Sequence, residues 1–188
     1  MDDFYAAFHR HILGTPFAAP IRDALSTFDD SKYLPGYDYL SRKDKEFRFI
    51  RDRVLGKTKY EIVMDSLIDS NGFKTADLGA QLWMNDDNLR YLHKSGHIVG
   101  LHSRNHPTTM GELDQEEQVQ EFHENFRHLQ HVLGVRPLTM SHPNNSYDSH
   151  TLAILTDLGI TLGFRANMQM QSHSLLEIPR HNHAVLYR

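Results

Sequence analysis

Apolar residues recur at helical spacing through residues 42–68, where Phe47, Ile50, Val54, Tyr60, Val63, Met64 and Leu67 share one side of a 3.6-residue repeat. Gly56 is a candidate interruption of this stretch and Gly72 a candidate stop, because glycine readily takes the left-handed conformation that ends helices. A short helix is expected over residues 86–95, capped by Asn85, with Leu89 and Leu92 turned inward and Gly96 at its end. No alternating or continuous strand pattern occurs in residues 1–95, so this half is expected to be mainly helical, an insertion or cap that contributes packing.

From residue 96 onward the pattern changes to a βαβ alternation. Ile98-Val-Gly-Leu101 reads as a short buried strand, and Pro137-Leu-Thr-Met140 and Ile160-Thr-Leu-Gly-Phe164 read as two more. Between the first two lies a helix opened by Asp114, with Glu117 three residues on as in a capping box. Its apolar face is Val119, Phe122, Phe126, Leu129 and Leu133, and Gly134 closes it. A second helix, over residues 149–158, is stopped by Gly159. Strands separated by helices of this length imply an α/β fold with a parallel sheet and crossover helices. The division expected is residues 1–95 as a helical segment and 96–188 as the βαβ part.

Composition narrows the function classes. The chain has 188 residues, 39% hydrophobic and 23% charged, which is ordinary for a globular protein and argues against global disorder. A net charge of -4, with no dense Lys/Arg run, argues against nucleic acid as a partner. No apolar run approaches the ~20 residues of a membrane span, and Met1-Asp-Asp-Phe-Tyr lacks the basic and apolar regions of a secretory leader, so a cytoplasmic location is expected. There is no cysteine, so a metal here would have to be bound by His, Asp or Glu. The 14 histidines say where to look.

In parallel α/β folds, ligand sites lie at the carboxyl ends of the strands. Two features fall there. His102-Ser-Arg-Asn-His106-Pro107 follows the first strand, and two imidazoles four residues apart across a strand-to-loop turn can aim at one point. Such a pair with a carboxylate suits zinc or a similar divalent ion. Ser141-His-Pro143-Asn-Asn-Ser-Tyr147 follows the second strand and can offer backbone N–H groups and hydroxyls to an oxyanion. The remaining histidines have plainer readings: His123, His128 and His131 lie off the apolar face of the long helix and are expected in solvent, and His142 is expected to be structural. Trp83, with Leu82 and Met84, is expected to anchor a core, the alternative being a sugar-stacking platform.

His102-Ser103-x-x-His106-Pro107, preceded by Gly96-His97-Ile98-Val99-Gly100, resembles the H-S/T-x-x-H-P metal motif of polysaccharide deacetylases with a NodB-homology domain, which follows a GHEIGSH-like strand. The Ser141–Tyr147 loop is similar to a diverged R-x-P-Y-G loop of that family: Pro143 matches its proline, Asn144 falls at the tyrosine, Asn145 at the glycine and Ser141 at the arginine. Residues 158–164 resemble the strand that follows, and the resemblance spans about residues 82–183. It implies a partial or distorted (β/α) barrel and a metal-dependent hydrolase, with Zn2+ as the expected ion, removing acetyl groups from an acetylated sugar or polysaccharide. It further implies His102 and His106 as metal ligands and the Asn144 backbone N–H as an oxyanion donor.

Thr27-Phe28-Asp29-Asp30-Ser31 resembles the family's T-F-D-D-G motif, which would make Asp29 the base and Asp30 the third metal ligand. The glycine is replaced by serine, and a helical pattern follows where the family has a strand. The alternative is a loop or helix start, with the true aspartates outside this chain and the protein a catalytically incomplete metal- or carbohydrate-binding relative. Near the end, Pro179-Arg180-His181-Asn182-His183 is similar to the family's P-R-x-D-like segment, with Arg180 placed to orient a carboxylate and His183 to act as an acid.

Overall fold

The computed structural model describes residues 2–35, 37, 40–168 and 174–181, and the chain divides into two compact units, Met1–Trp83 and Met84–Arg188. The first unit consists, in its described residues, of helices joined by turns and loops, with no strand among them. It contains α1 (Asp2–Ile12), α2 (Ala18–Ser26), α3 (Arg42–Phe49), α4 (Gly56–Ser70) and α5 (Thr75–Leu82). Ser41 caps α3 through a reciprocal pair with Asp44, whose carboxylate also takes the Tyr5 hydroxyl. The predicted stretch over residues 42–68 is helical but not one helix. Residues Ile50–Leu55 form a π-helical segment, whose i→i+5 pairing brings Ile50 and Leu55 to the same buried side. The interruption comes at Gly56, which has φ +66°. Phe8, Ile12, Ile21, Ile50, Leu55, Val63 and Leu67 form the core, with Phe47 and Tyr60 packed against it.

The second unit contains α6 (Asp86–Lys94), α7 (Gln115–Leu133), β1 (Thr139–Ser141), α8 (Ser149–Asp157) and β2 (Leu162–Phe164). β1 and β2 pair in parallel, Met140 opposite Gly163. Single parallel bridges extend this sheet on both sides, Leu101 to Met140 and Phe164 to Ile178. Four chain segments therefore lie side by side in sequence order, with α7 and α8 in the first two crossovers. Only Leu101 of the expected first strand joins the ladder, and Ile98 is 81% exposed. The backbones approach closely. A Cβ on Gly163 would fall against the Leu176 backbone, and one on Gly100 against that of Thr139.

Local signals set the helix ends. Asn85 caps α6 with Asn88, Asp114 caps α7 with Glu117, and Asp148 caps α8 with Thr151, each a reciprocal capping box. Gly134 and Gly159 follow α7 and α8 with positive φ. The core is Leu101, Met110, Phe122, Phe126, Leu129, Met140, Leu155, Ile160 and neighbours. On α7 the expected Val119 is 40% exposed, and its neighbour Gln118 is buried instead. Gln118 accepts from the Thr151 hydroxyl (2.6 Å) and donates to the Leu113 carbonyl (3.1 Å), joining α7 to α8 by polar contacts inside the core.

Candidate functional site

Leaving the ladder at Leu101, the chain turns sharply through residues 102–106. Ser103 (φ 64°) and His106 (φ 52°) both adopt the left-handed region, which costs of order 1 kcal/mol or more for each non-glycine residue. Side chains hold them there. The His106 N–H donates to Ser103 Oγ (3.1 Å) and the His102 N–H to Asn125 Oδ1 (3.0 Å). The N–H groups of Arg104 and Asn105 both donate to Glu121 Oε2, at 3.0 and 2.7 Å. The turn brings the two imidazoles together, with ring centroids 4.7 Å apart and planes at 67°.

The protonation pattern of His102 follows from one contact. Its Nδ1 lies 2.7 Å from the Ser141 carbonyl oxygen. A carbonyl can only accept, so Nδ1 carries the hydrogen, and the neutral ring keeps its lone pair on Nε2. An imidazole held this way by a backbone carbonyl has the arrangement that commonly orients metal-ligating histidines. Both rings are solvent-exposed. Two neighbouring imidazoles are the kind of donor a divalent cation takes, but a catalytic zinc site usually takes three protein ligands. Among the described residues no group of three or more His, Cys, Asp or Glu is gathered to hold a metal ion.

The second loop forms a polar floor beside this pair. His142 is fully buried, donates from Nε2 to the Leu176 carbonyl (2.8 Å) and stacks on Tyr147 at 4.1 Å. Burial lowers its pKa to about 4, so it is neutral at physiological pH. The Tyr147 hydroxyl donates to Glu177 Oε1 (3.0 Å), and burial, aided by that carboxylate, pushes the phenol above its ordinary pKa. Asn144 and Asn145 have φ 49° and 59°, a conformation asparagine tolerates better than most residues. Asn145 Oδ1 accepts from Ala166 N (3.1 Å), tying the loop to the end of β2. His142 Nδ1 and Asn144 Nδ2 are buried without a hydrogen-bond partner among the described residues.

Thr27 ends α2, and Asp29 begins a turn in which Oδ1 accepts from Ser31 N (3.0 Å) and Ser31 Oγ (2.6 Å), with Lys32 Nζ 3.3 Å from Oδ2. The hydrogen bonds from Ser31 hold this carboxyl below its ordinary pKa. The Asp30 carbonyl accepts from Lys45 Nζ (2.9 Å). Arg180 donates from Nε to the Arg165 carbonyl (3.1 Å). His183 lies outside the described residues. Trp83 is 76% exposed, so the core-anchor reading is wrong: Leu82 and Met84 are exposed with it. His142 is structural as expected, and His123, His128 and His131 are exposed. Sequence reasoning missed Glu121 and Asn125. Their signal was Asn125, a poor helix former inside a helix, one turn after Glu121.

A family model described as polysaccharide deacetylase matches residues 19–163, most of the chain. The match starts well before the motif resemblance at about residue 82 and stops before the Pro179–His183 segment. No curated protein matches. Among solved structures the chain is similar to a Streptococcus pyogenes deacetylase, PplD, in complex with acetate. The TM-score is 0.51 at 19% identity, over 64% of this chain and 57% of that one, so the chain spans little more than half that deacetylase's length. At this identity the likeness is one of fold.

Proposed function

The chain belongs to the polysaccharide deacetylase family, and on that premise we propose that it is a metal-dependent hydrolase removing an acetyl group from an acetylated amino sugar of a polysaccharide or its precursor. The observation that carries this reading is the imidazole pair at the carboxyl end of the ladder, rings 4.7 Å apart, with His102 Nε2 left as the lone-pair nitrogen. A ligand set of nitrogen and oxygen donors without thiolates suits Zn2+. A cation held there would supply Lewis acidity toward the acetyl carbonyl.

The chain's own groups then divide the work. His102 and His106 hold the ion, and the Ser141 carbonyl fixes the His102 tautomer. Asp30 is the third ligand, and Asp29 is the base that takes the proton of the attacking water. The Asn144 N–H donates to the oxyanion, and His183 protonates the departing amine, or the alcohol of an acetyl ester. These four assignments rest on the motif resemblance; the family match beginning at residue 19 supports the aspartate pair by including it.

A second reading is favoured by a specific observation. The Asp29 carboxylate is engaged by Ser31 and Lys32 in a turn after a helix, as a capping residue would be. On that reading the protein binds a metal or a carbohydrate without hydrolysing it. The test is zinc content and acetate release, from N-acetylglucosamine oligomers and from O-acetylated sugars, by the zinc-loaded protein and its Asp30→Asn variant. The hydrolase reading expects one zinc per chain, acetate release, and loss of both in the variant. Zinc uptake that survives Asp30→Asn, with no acetate from any substrate, establishes the second reading.

A further inference from the structure

We infer that Glu121 and Asn125 on α7 are positioning residues for the imidazole pair: they form a template on which the turn carrying His102 and His106 is wound. The inference rests on the reading of those histidines as metal ligands, and it adds the machinery that brings them together. The 102–106 turn bends against its own preference, with two non-glycine residues in the left-handed region. Its N–H groups find side chains: Asn125 for His102, Glu121 for both Arg104 and Asn105, and Ser103 for His106. Glu121 Oε1 also takes the Asn105 side-chain amide, so both oxygens of one carboxylate grip two adjacent residues.

The spacing explains how one helix does this. Residues 121, 124 and 125 lie at i, i+3 and i+4 and so share a face of α7. Glu124 adds an ion pair to the Arg104 side chain at 2.7 Å, with Arg104 58% exposed, and contributes little by itself. Glu121 and Asn125 instead bond backbone N–H groups of the turn, Glu121 taking the Asn105 side-chain amide as well. Phe122 and Phe126, each next in sequence to one of them, are buried in the core and fix the helix that carries them. A rigid helix therefore sets the backbone from which both imidazoles project. The Ser141 carbonyl adds a second fixed point on the His102 ring.

The test uses the full chain without metal, with isotope-labelled histidine, and reads the nuclear Overhauser effect between the His102 and His106 rings. The wild type is expected to show it. Glu121→Ala and Asn125→Ala are expected to lose it while their urea midpoints stay close to the wild type, because the turn is exposed. Glu121→Gln and Asn125→Asp keep an acceptor at each position and are expected to retain it. In parallel, zinc affinity should fall about tenfold to a hundredfold in the alanine variants, the usual cost of removing support behind a ligand.

Ring proximity retained in both alanine variants overturns the inference. So does its loss only together with global unfolding in both, which would make the role purely structural. A wild type whose rings are close but which takes up no zinc refutes the proposed function and leaves the ring-contact result to decide the positioning role.

Discussion

The buried His142 makes protein stability depend on pH in a way that can be worked out beforehand. In the folded chain the ring is fully enclosed and titrates at about 4, because burial opposes the charged form. In the unfolded chain it titrates near the ordinary histidine value of ~6.5. Between these values the unfolded state binds more protons, so stability falls as pH falls, beginning near 6.5 and ending near 4. At about 1.4 kcal/mol for each pH unit separating the two values, the loss amounts to about 3 kcal/mol. His142→Phe keeps a ring against Tyr147 and cannot titrate. It also strands the Leu176 carbonyl, costing about 1–3 kcal/mol at every pH. The assay is urea unfolding of both proteins from pH 7.5 to 4. The wild type should be the more stable at pH 7.5, and its advantage should shrink by about 3 kcal/mol by pH 4. Parallel curves, with a constant gap, would refute the reasoning.

Three further outcomes follow from the packing. Gly163→Ala places a methyl group against the Leu176 backbone and should destabilise by about 1–3 kcal/mol in urea unfolding. Thr151→Val keeps the shape but removes the hydroxyl donated to the buried Gln118, and should cost about 1–3 kcal/mol, with the loss visible in the melting temperature. Asp114→Ala removes the cap of α7 and should cost about 1 kcal/mol, with faster amide exchange confined to the first turn of that helix.

Features encoded by neighbouring residues were legible in the sequence. The caps Asn85 and Asp114, the stops Gly134 and Gly159, and the break at Gly56 each depend on a few adjacent positions, and the structure has them there. The His102–His106 motif was legible for the same reason, being contiguous. Three-residue strands carry too little pattern to define their edges, so β1 and β2 begin later than expected and the first strand contracts to a bridge at Leu101. The burial of Gln118 in place of Val119 was not legible locally, because its partner, Thr151, lies 33 residues away on another helix. The grips of Glu121 and Asn125 span 16 to 23 residues, and the His142–Leu176 bond spans 34; no window of adjacent residues contains them. The π-helical segment at Ile50–Leu55 has no composition of its own to announce it.

Zinc-edge X-ray absorption on the loaded full chain reads directly whether His102 and His106 share one ion. Two imidazole nitrogens are expected at about 2.0–2.1 Å from the ion, reduced to one in His102→Ala and in His106→Ala. A zinc shell without imidazole, or one unchanged by either substitution, would contradict a shared ion.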